Sequence, residues 1–293
     1  MASHIRPFES SDKPAILEIS KRTWGGYDQL SYQLDQLMAN RNSYMFVMEF
    51  KDRVVAFANL QIIDEGKTGW MEYMRVHWRY RRRGFAWIMT KKLINEAKTL
   101  GVKRLRLTTT IENEATKRIT DRIGMHQVLQ MKLFWKGNFR GIRWKDTSVP
   151  NEPVSTDEAF TFLTNNPNLV PKGFLVDYWH AYDLTKDTLE SIGENTKFWK
   201  GEKNGKAKTL SFGYLRVFRG EPMWCSTIYA IGEHSFYSAL SQQLQTAVEH
   251  EARGVLCFHP VEYQAAHSIS GLKRNTFSSI LVLYEKHSPF DTW

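Results

Sequence analysis

The chain has 293 residues, 42% hydrophobic and 13% aromatic, which excludes wholesale disorder and suffices for one large domain or two ordinary ones. No apolar run approaches the roughly 20 residues of a membrane helix, and the start, Met1-Ala2-Ser3-His4-Ile5-Arg6-Pro7, lacks the apolar block of a secretory signal, so a soluble cytoplasmic protein with no membrane partner is expected. The formal net charge of +9 is uneven: residues 1–150 hold 27 Lys and Arg against 15 Asp and Glu, the remainder 13 against 16, so an anionic partner is expected for the first part.

In chain order, residues 14–21 and 32–39 read as short helices, separated by the loop Thr23-Trp24-Gly25-Gly26-Tyr27-Asp28, where paired glycines break helix. Strand patterns follow at 44–50, 54–63 and 70–76, with Asp52 and Gly66 in the turns. From Ala86 a helix is predicted, because Ala86, Met89, Leu93, Ala97 and Leu100 recur at helical spacing and Gly101 stops it. A strand at 104–109, a helix at 115–123 and a strand at 127–135 complete the first part.

Two prolines among polar residues at 146–153 mark a joint, predicting domains 1–147 and 148–293. The second part reads as strands 197–202, 209–218 and 223–231, helix 236–253, strand 255–259, helix 263–272 and strand 276–285. That repeats the element order of the first part, three strands, helix, strand, helix, strand, without repeating its residues. Cys225 and Cys257 sit inside apolar runs and read as reduced core residues.

The stretch Trp78-Arg79-Tyr80-Arg81-Arg82-Arg83-Gly84-Phe85-Ala86 joins a strand to a helix. A turn there aims backbone N–H groups at an anion, and the helix N-terminus favours phosphate. Gly84 permits close backbone approach, Ala86 leaves the first turn unobstructed, and the arginines add charge-assisted bonds.

With these residues the chain resembles the GNAT superfamily of acetyltransferases, whose acetyl-CoA signature is Arg/Gln-x-x-Gly-x-Gly/Ala after a strand. Here it is Arg81-Arg82-Arg83-Gly84-Phe85-Ala86 behind Val76, with Asn113 opening the next helix and Gly124-Met125 closing it. A closer likeness is to the histidine N-acetyltransferase family. It is carried by Trp24-Gly25-Gly26-Tyr27-Asp28-Gln29-Leu30, by Ile62-Ile63-Asp64-Glu65-Gly66 through Met74-Arg75-Val76, by Arg106-Leu107-Thr108 and by Phe174-Leu175-Val176-Asp177-Tyr178-Trp179. The resemblance implies an α/β (α+β) fold with a mixed, mostly antiparallel sheet of GNAT type, followed by a second, degenerate GNAT-like half. It implies acetyl-CoA as cosubstrate, held by Met74, Arg75, Val76, the turn Arg81, Arg82, Arg83, Gly84, Phe85 and Ala86, and Asn113. It implies a small-molecule amine acceptor, histidine by preference.

Glu72, on the strand before the turn, is the candidate base, and period-2 alternation places Met74 and Val76 on its face. An α-amino group titrates near 7.7–8.0, so deprotonating it at pH 7 costs about 1 kcal/mol, against about 4.6 kcal/mol for a lysine. One carboxylate therefore suits an α-amine better. Thr120 stands where many GNAT enzymes carry a tyrosine acid, which leaves the acid unassigned. The unassisted thiolate costs only about 2 kcal/mol at pH 7.

Tyr27, Asp28 and Tyr73 are candidate acceptor contacts, with Tyr178 reaching in from the second part; Asp28 pairs with a cationic group or caps a turn, and Tyr32 and Trp70 wall the acceptor or pack in the core. In the second part, Gly232-Glu233-His234-Ser235 replaces the arginine turn with an acidic one, so acetyl-CoA is not expected there. His77 and His126 have no partners at ligand spacing, so no metal is expected. Two other readings remain: acetylation of a protein N-terminus or another small amine, and a non-catalytic basic module for nucleic acid. The second is disfavoured, because the densest basic cluster lies in one turn whose spacing phosphate binding explains.

Overall fold

The computed structural model describes residues 3–26, 28–139, 145–264, 269, 272, 276–288 and 290. The elements begin with β1 (His4–Pro7), α1 (Lys13–Ser20), α2 (Leu30–Ala39), β2 (Ser43–Glu49), β3 (Val54–Ile63) and β4 (Thr68–Val76). They continue with α3 (Phe85–Thr99), β5 (Arg104–Thr110), α4 (Glu114–Arg122), β6 (His126–Lys136), β7 (Asn151–Val154), α5 (Thr156–Asn165), β8 (Phe174–Asp177) and β9 (His180–Asp183). The rest are α6 (Lys186–Gly193), β10 (Lys197–Lys203), β11 (Lys206–Phe218), β12 (Glu221–Ala230), α7 (Glu233–Glu249), β13 (Gly254–His259) and β14 (Phe277–His287).

Two compact units form. Unit 1 is Met1–Leu107, Glu114–His126 and Tyr284–Trp293; unit 2 is Thr108–Asn113 and Gln127–Leu283. The units therefore do not follow the boundary expected near residue 147. Two observations give the reason. The strand β6 runs antiparallel to β13, Phe134 opposite Cys257, inside unit 2. The end of β14 brings Glu285 to the Arg106 guanidinium at 2.6 Å inside unit 1.

In unit 1 the strands run β1-β2-β3-β4-β5, antiparallel up to β4 and then parallel. Val47 and Phe57, opposite each other, face Ile16 and Ile19 of α1 and Leu30, Leu34 and Leu37 of α2 in one buried cluster. Leu30, Leu34 and Leu37 recur at helical spacing, so α2 buries a single stripe. The alternate residue Phe46 faces the other way, with the Lys92 ammonium of α3 over its ring at 4.3 Å. Helix α3 buries Phe85, Met89, Leu93, Ile94 and Ala97 and is stopped by Gly101 at φ +70°, as its sequence predicts.

In unit 2 the order is β14-β6-β13-β12-β11-β10-β7, with β12–β13 parallel and β11–β12, β10–β11 and β7–β10 antiparallel. Helix α7 packs Phe236, Ala239, Leu240, Leu244 and Ala247 on Trp224, Ile228 and Val255. It ends at Glu249 rather than at 253, because Glu251 turns left-handed at φ +54° and the Ala252 N–H bonds back to the Ala247 carbonyl. The sequence reading assigned nothing between 154 and 196, where α5, β8, β9 and α6 lie. A capping box at Ser155 and Glu158 starts α5. Most of the helix expected at 263–272 lies outside the described residues. His259 is buried against Phe236 and Phe134, and burial lowers its pKa to about 3, so it stays neutral. Both cysteines are free and buried. Among the described residues no helix is long and apolar enough to cross a membrane.

Candidate functional site

The central feature of unit 1 is an interruption in β4. Asn59 of β3 pairs with Glu72, and Phe57 pairs with Arg75, so Ala58 opposes two residues, Tyr73 and Met74. This is a β-bulge, and Tyr73 takes up the extra residue at φ +51°. The bulge corrects the alternation expected from sequence. Directly opposed residues share a face, so Glu72 lies on the face of Asn59 and Phe57 together with Arg75, not with Val76. That is the face covered by α1 and α2. On its other edge β4 pairs with β5 only from Thr68↔Arg104 to Trp70↔Arg106; the ladder stops before Met71.

The strand then enters the arginine turn. Arg81, Arg82, Arg83 and Gly84 are exposed. Arg81 Nε donates to the Val76 carbonyl at 3.2 Å, tying the turn to the strand end. Arg82 stands at φ +62°, and Gly84 caps α3 at φ +79° with no atom within 4 Å of where a Cβ would lie. The first bond of α3 runs from the Ile88 N–H to the Gly84 carbonyl. The amides of the preceding turn have no carbonyl of their own helix to reach. A bare backbone surface at a helix N-terminus, edged by three guanidiniums, fits a pyrophosphate. Phe85 turns inward against Phe50, centroids 5.4 Å apart, and anchors the helix start.

On the α1–α2 side, Asp28 is buried and both its oxygens accept from Arg75: Nε to Oδ2 at 2.9 Å and Nη2 to Oδ1 at 3.0 Å. The expected pairing of Asp28 with a cationic acceptor gives way to this pair inside the chain. Asp28 Oδ1 also accepts from the Leu30 N–H at 3.3 Å, the turn role read beside it. The Tyr73 hydroxyl donates to Gln33 of α2, and the Arg75 guanidinium lies 5.8 Å from the Tyr73 ring. Glu72 is half-buried, and its Oε1 accepts from Asn59 Nδ2 at 2.7 Å. Trp70 is core, whereas Trp24 and Tyr32 are each 54% exposed. Tyr27 lies outside the described residues.

The remaining candidates are dispersed. Asn113 belongs to unit 2 and donates to Thr109 Oγ1 at 2.9 Å. The Thr120 side chain is fully buried and its hydroxyl donates to the Lys117 carbonyl at 2.8 Å, so it is tied into its own helix. Tyr178 is buried in unit 2, in the turn between β8 and β9, with the Arg216 guanidinium 4.3 Å over its ring. At the start of α7, Gly232 is followed by Glu233 in place of an arginine cluster. Among the described residues no group of three or more His, Cys, Asp or Glu is placed to hold a metal.

Sequence reasoning missed Asn59 and Gln33. Asn59 carried a signal: it is a lone amide inside the apolar run Val54-Val55-Ala56-Phe57-Ala58-Asn59-Leu60 and is fully buried. A buried amide requires partners, and one of them is Glu72. Gln33 carried none, since it is one of several polar residues on a surface helix.

Residues 13–125 match the acetyltransferase (GNAT) family. No curated protein matches the chain. Among solved structures it is similar to a GCN5-related N-acetyltransferase of Sphaerobacter thermophilus, at 10% identity and TM-score 0.65, over 97% of this chain and 95% of that one. It is also similar to a tandem GNAT protein from the clavulanic acid biosynthesis pathway, at 12% identity and TM-score 0.61, over 99% and 100%. A Thermoplasma acidophilum protein assigned to the acetyltransferases gives 14% identity and TM-score 0.62, over 97% and 100%. At such identities the likeness is one of fold: a mixed α/β sheet in a tandem of two GNAT halves. Residues 13–125 thus form an acetyltransferase domain of the GNAT family.

Proposed function

We propose that the chain acetylates the α-amino group of a free amino acid, L-histidine by preference, with acetyl-CoA as cosubstrate and by direct transfer. The observation that carries the reading is the bare, arginine-edged start of α3 at the end of a strand whose parallel ladder has stopped. In this reading residues 1–147 perform the transfer, and residues 148–293 lack an acetyl-CoA site because Glu233 replaces the arginine cluster.

Bound acetyl-CoA supplies an activated acetyl group. Arg81, Arg82, Arg83 and the amides from Gly84 to Ala86 neutralise its pyrophosphate, while the backbone of Met74, Arg75 and Val76 lies along its arm and Asn113 stands at the start of the next helix. The amide near Val76 faces the carbonyl oxygen that gains charge. Glu72 accepts the proton released as the amine nitrogen bonds to the acetyl carbon, directly or through a water. The departing thiolate needs no strong acid. Tyr73 and the Asp28–Arg75 pair shape the acceptor side, with Tyr27 next in the loop. Acetylation of a peptide N-terminus is the alternative acceptor class.

Acetyl-CoA consumption across the twenty amino acids tests the acceptor. Histidine should stand alone; a flat response with turnover on peptides would replace it. In the same assay Glu72→Gln should lower kcat about 100-fold or more with acetyl-CoA affinity unchanged. Wild-type turnover across neutral pH in this variant would remove Glu72 from the role of base.

A further inference from the structure

Asn59 stands apart from the strand that carries it. It is 0% exposed and follows the apolar run Val54-Val55-Ala56-Phe57-Ala58 of β3. Its neighbours across the ladder are Met45 of β2 and Glu72 of β4. The pair with Glu72 is the last one in register before the bulge at Tyr73. Directly opposed residues hold their Cβ atoms about 4.5–5.5 Å apart, within reach of an asparagine amide. Asn59 Nδ2 donates to Glu72 Oε1 at 2.7 Å and to Ser43 Oγ at 3.4 Å. Its Oδ1 is buried and has no partner among the described residues.

The orphan oxygen carries information. A buried acceptor without a partner is costly, and a leucine has the same branched shape without that cost. Turning the amide over does not help. Its oxygen would then face Glu72 Oε1, one acceptor against another. The orientation that serves Glu72 is the one that leaves Oδ1 alone. The amide thus supports the carboxylate and burdens the core with an unpaired acceptor. What Glu72 gains is direction. A glutamate side chain turns about three bonds, and Glu72 is only half-buried, so packing does not fix all of them. The short bond from Nδ2 takes one lone pair of Oε1 and sets the carboxylate plane at the point where β4 leaves its regular ladder.

We propose that Asn59 is a positioning residue for the transfer: its amide aims the Glu72 carboxylate, so that a lone pair the amide does not occupy meets the proton leaving the acceptor amine. The proton passes from the amine nitrogen to Glu72, directly or through a water. In this role Asn59 touches neither substrate and exchanges no proton. The inference rests on the reading of Glu72 as the base, and not on which amine is acetylated. It also accounts for an amide in a strand that is otherwise apolar over this stretch.

A double-mutant cycle on the full chain tests it. It is read by acetyl-CoA consumption with the amino acid or peptide that supports turnover, by calorimetry with acetyl-CoA and by thermal melts. Asn59→Leu should lower kcat about 10-fold, with acetyl-CoA affinity unchanged. Its melting temperature should equal or exceed that of the wild type, because the orphan oxygen is gone. In the Glu72→Gln background the same substitution should change kcat by about twofold at most, since the amide then has no base to aim. Asn59→Ser, too short to reach Oε1, should lose the same factor and keeps the test open if leucine disturbs the core. Unchanged kcat in Asn59→Leu and Asn59→Ser would overturn the proposal. So would an equal loss in both backgrounds, which makes Asn59 act independently while Glu72 keeps its role. Full turnover by Glu72→Gln alone removes the base itself, and the positioning role falls with it.

Discussion

A chain ending at residue 147 should not fold into a stable acetyltransferase domain. The reason is the charge at Arg106. Its side chain is 2% exposed, with Nη1 on Asp64 Oδ2 at 2.9 Å and Nε on Glu285 Oε2 at 2.6 Å. Asp64 is also within 3.4 Å of Arg104, so losing Glu285 takes a carboxylate out of a buried cluster that holds two guanidiniums. Removing one partner of a buried pair costs about 3–5 kcal/mol because the other charge stays buried. A truncated chain also loses the Ser288 N–H bond to the Lys103 carbonyl and the Lys286 bond to the Ile123 carbonyl, both within unit 1. In the full chain, Glu285→Leu should lower the melting temperature by roughly 10 °C. Circular dichroism and thermal melts read both results. Cooperative melting of residues 1–147 near the full-chain temperature would show that unit 1 does not need the last strand.

Gly84→Glu should abolish acetyl-CoA binding, by at least about 100-fold, while the protein remains folded. Two effects add. A side chain at φ +79° is strained by roughly 1–2 kcal/mol. A carboxylate at the helix N-terminus then occupies the place meant for phosphate and draws in the arginines. Space is not the limit, since nothing lies within 4 Å of the Cβ position. Gly84→Ala should therefore retain most of the affinity and lose only what the strain costs. Calorimetry with acetyl-CoA separates the two variants, and an unchanged affinity in Gly84→Glu would displace the phosphate from this turn.

The contrast between these two sites explains what could be read from the sequence. The turn proposed to hold the phosphate is local: Arg81, Gly84 and Ala86 lie within one strand-to-helix junction, so their spacing shows in the sequence. The strands and helices of unit 1 from α1 to α4 were legible for a similar reason, since each buries one face at a fixed period, whereas β1 at His4–Pro7 is too short to show one. What was not legible joins distant residues. Asp28 and Arg75 are 47 positions apart, and Arg106 and Glu285 are 179 apart. Each reads alone as an ordinary charged residue. The bulge at Tyr73 was hidden because Trp70-Met71-Glu72-Tyr73-Met74-Arg75-Val76 mixes polar and apolar residues on both faces, so a one-residue slip leaves no mark in the pattern. The elements between 154 and 196 were missed because α5, α6 and the β8–β9 hairpin are short, and short elements give weak periodicity.

The place of the end of β14 in unit 1 has a consequence in time. Ribosomes add roughly 5–20 residues per second, so the 179 positions between Arg106 and Glu285 correspond to roughly 10–40 s of synthesis. Throughout that interval the nascent chain holds every residue of the arginine turn but not the carboxylate that pairs with Arg106. In this reading acetyl-CoA capacity should arise only once residue 285 has been made, as one late event, and the chain without it is the form on which chaperones have longest to act.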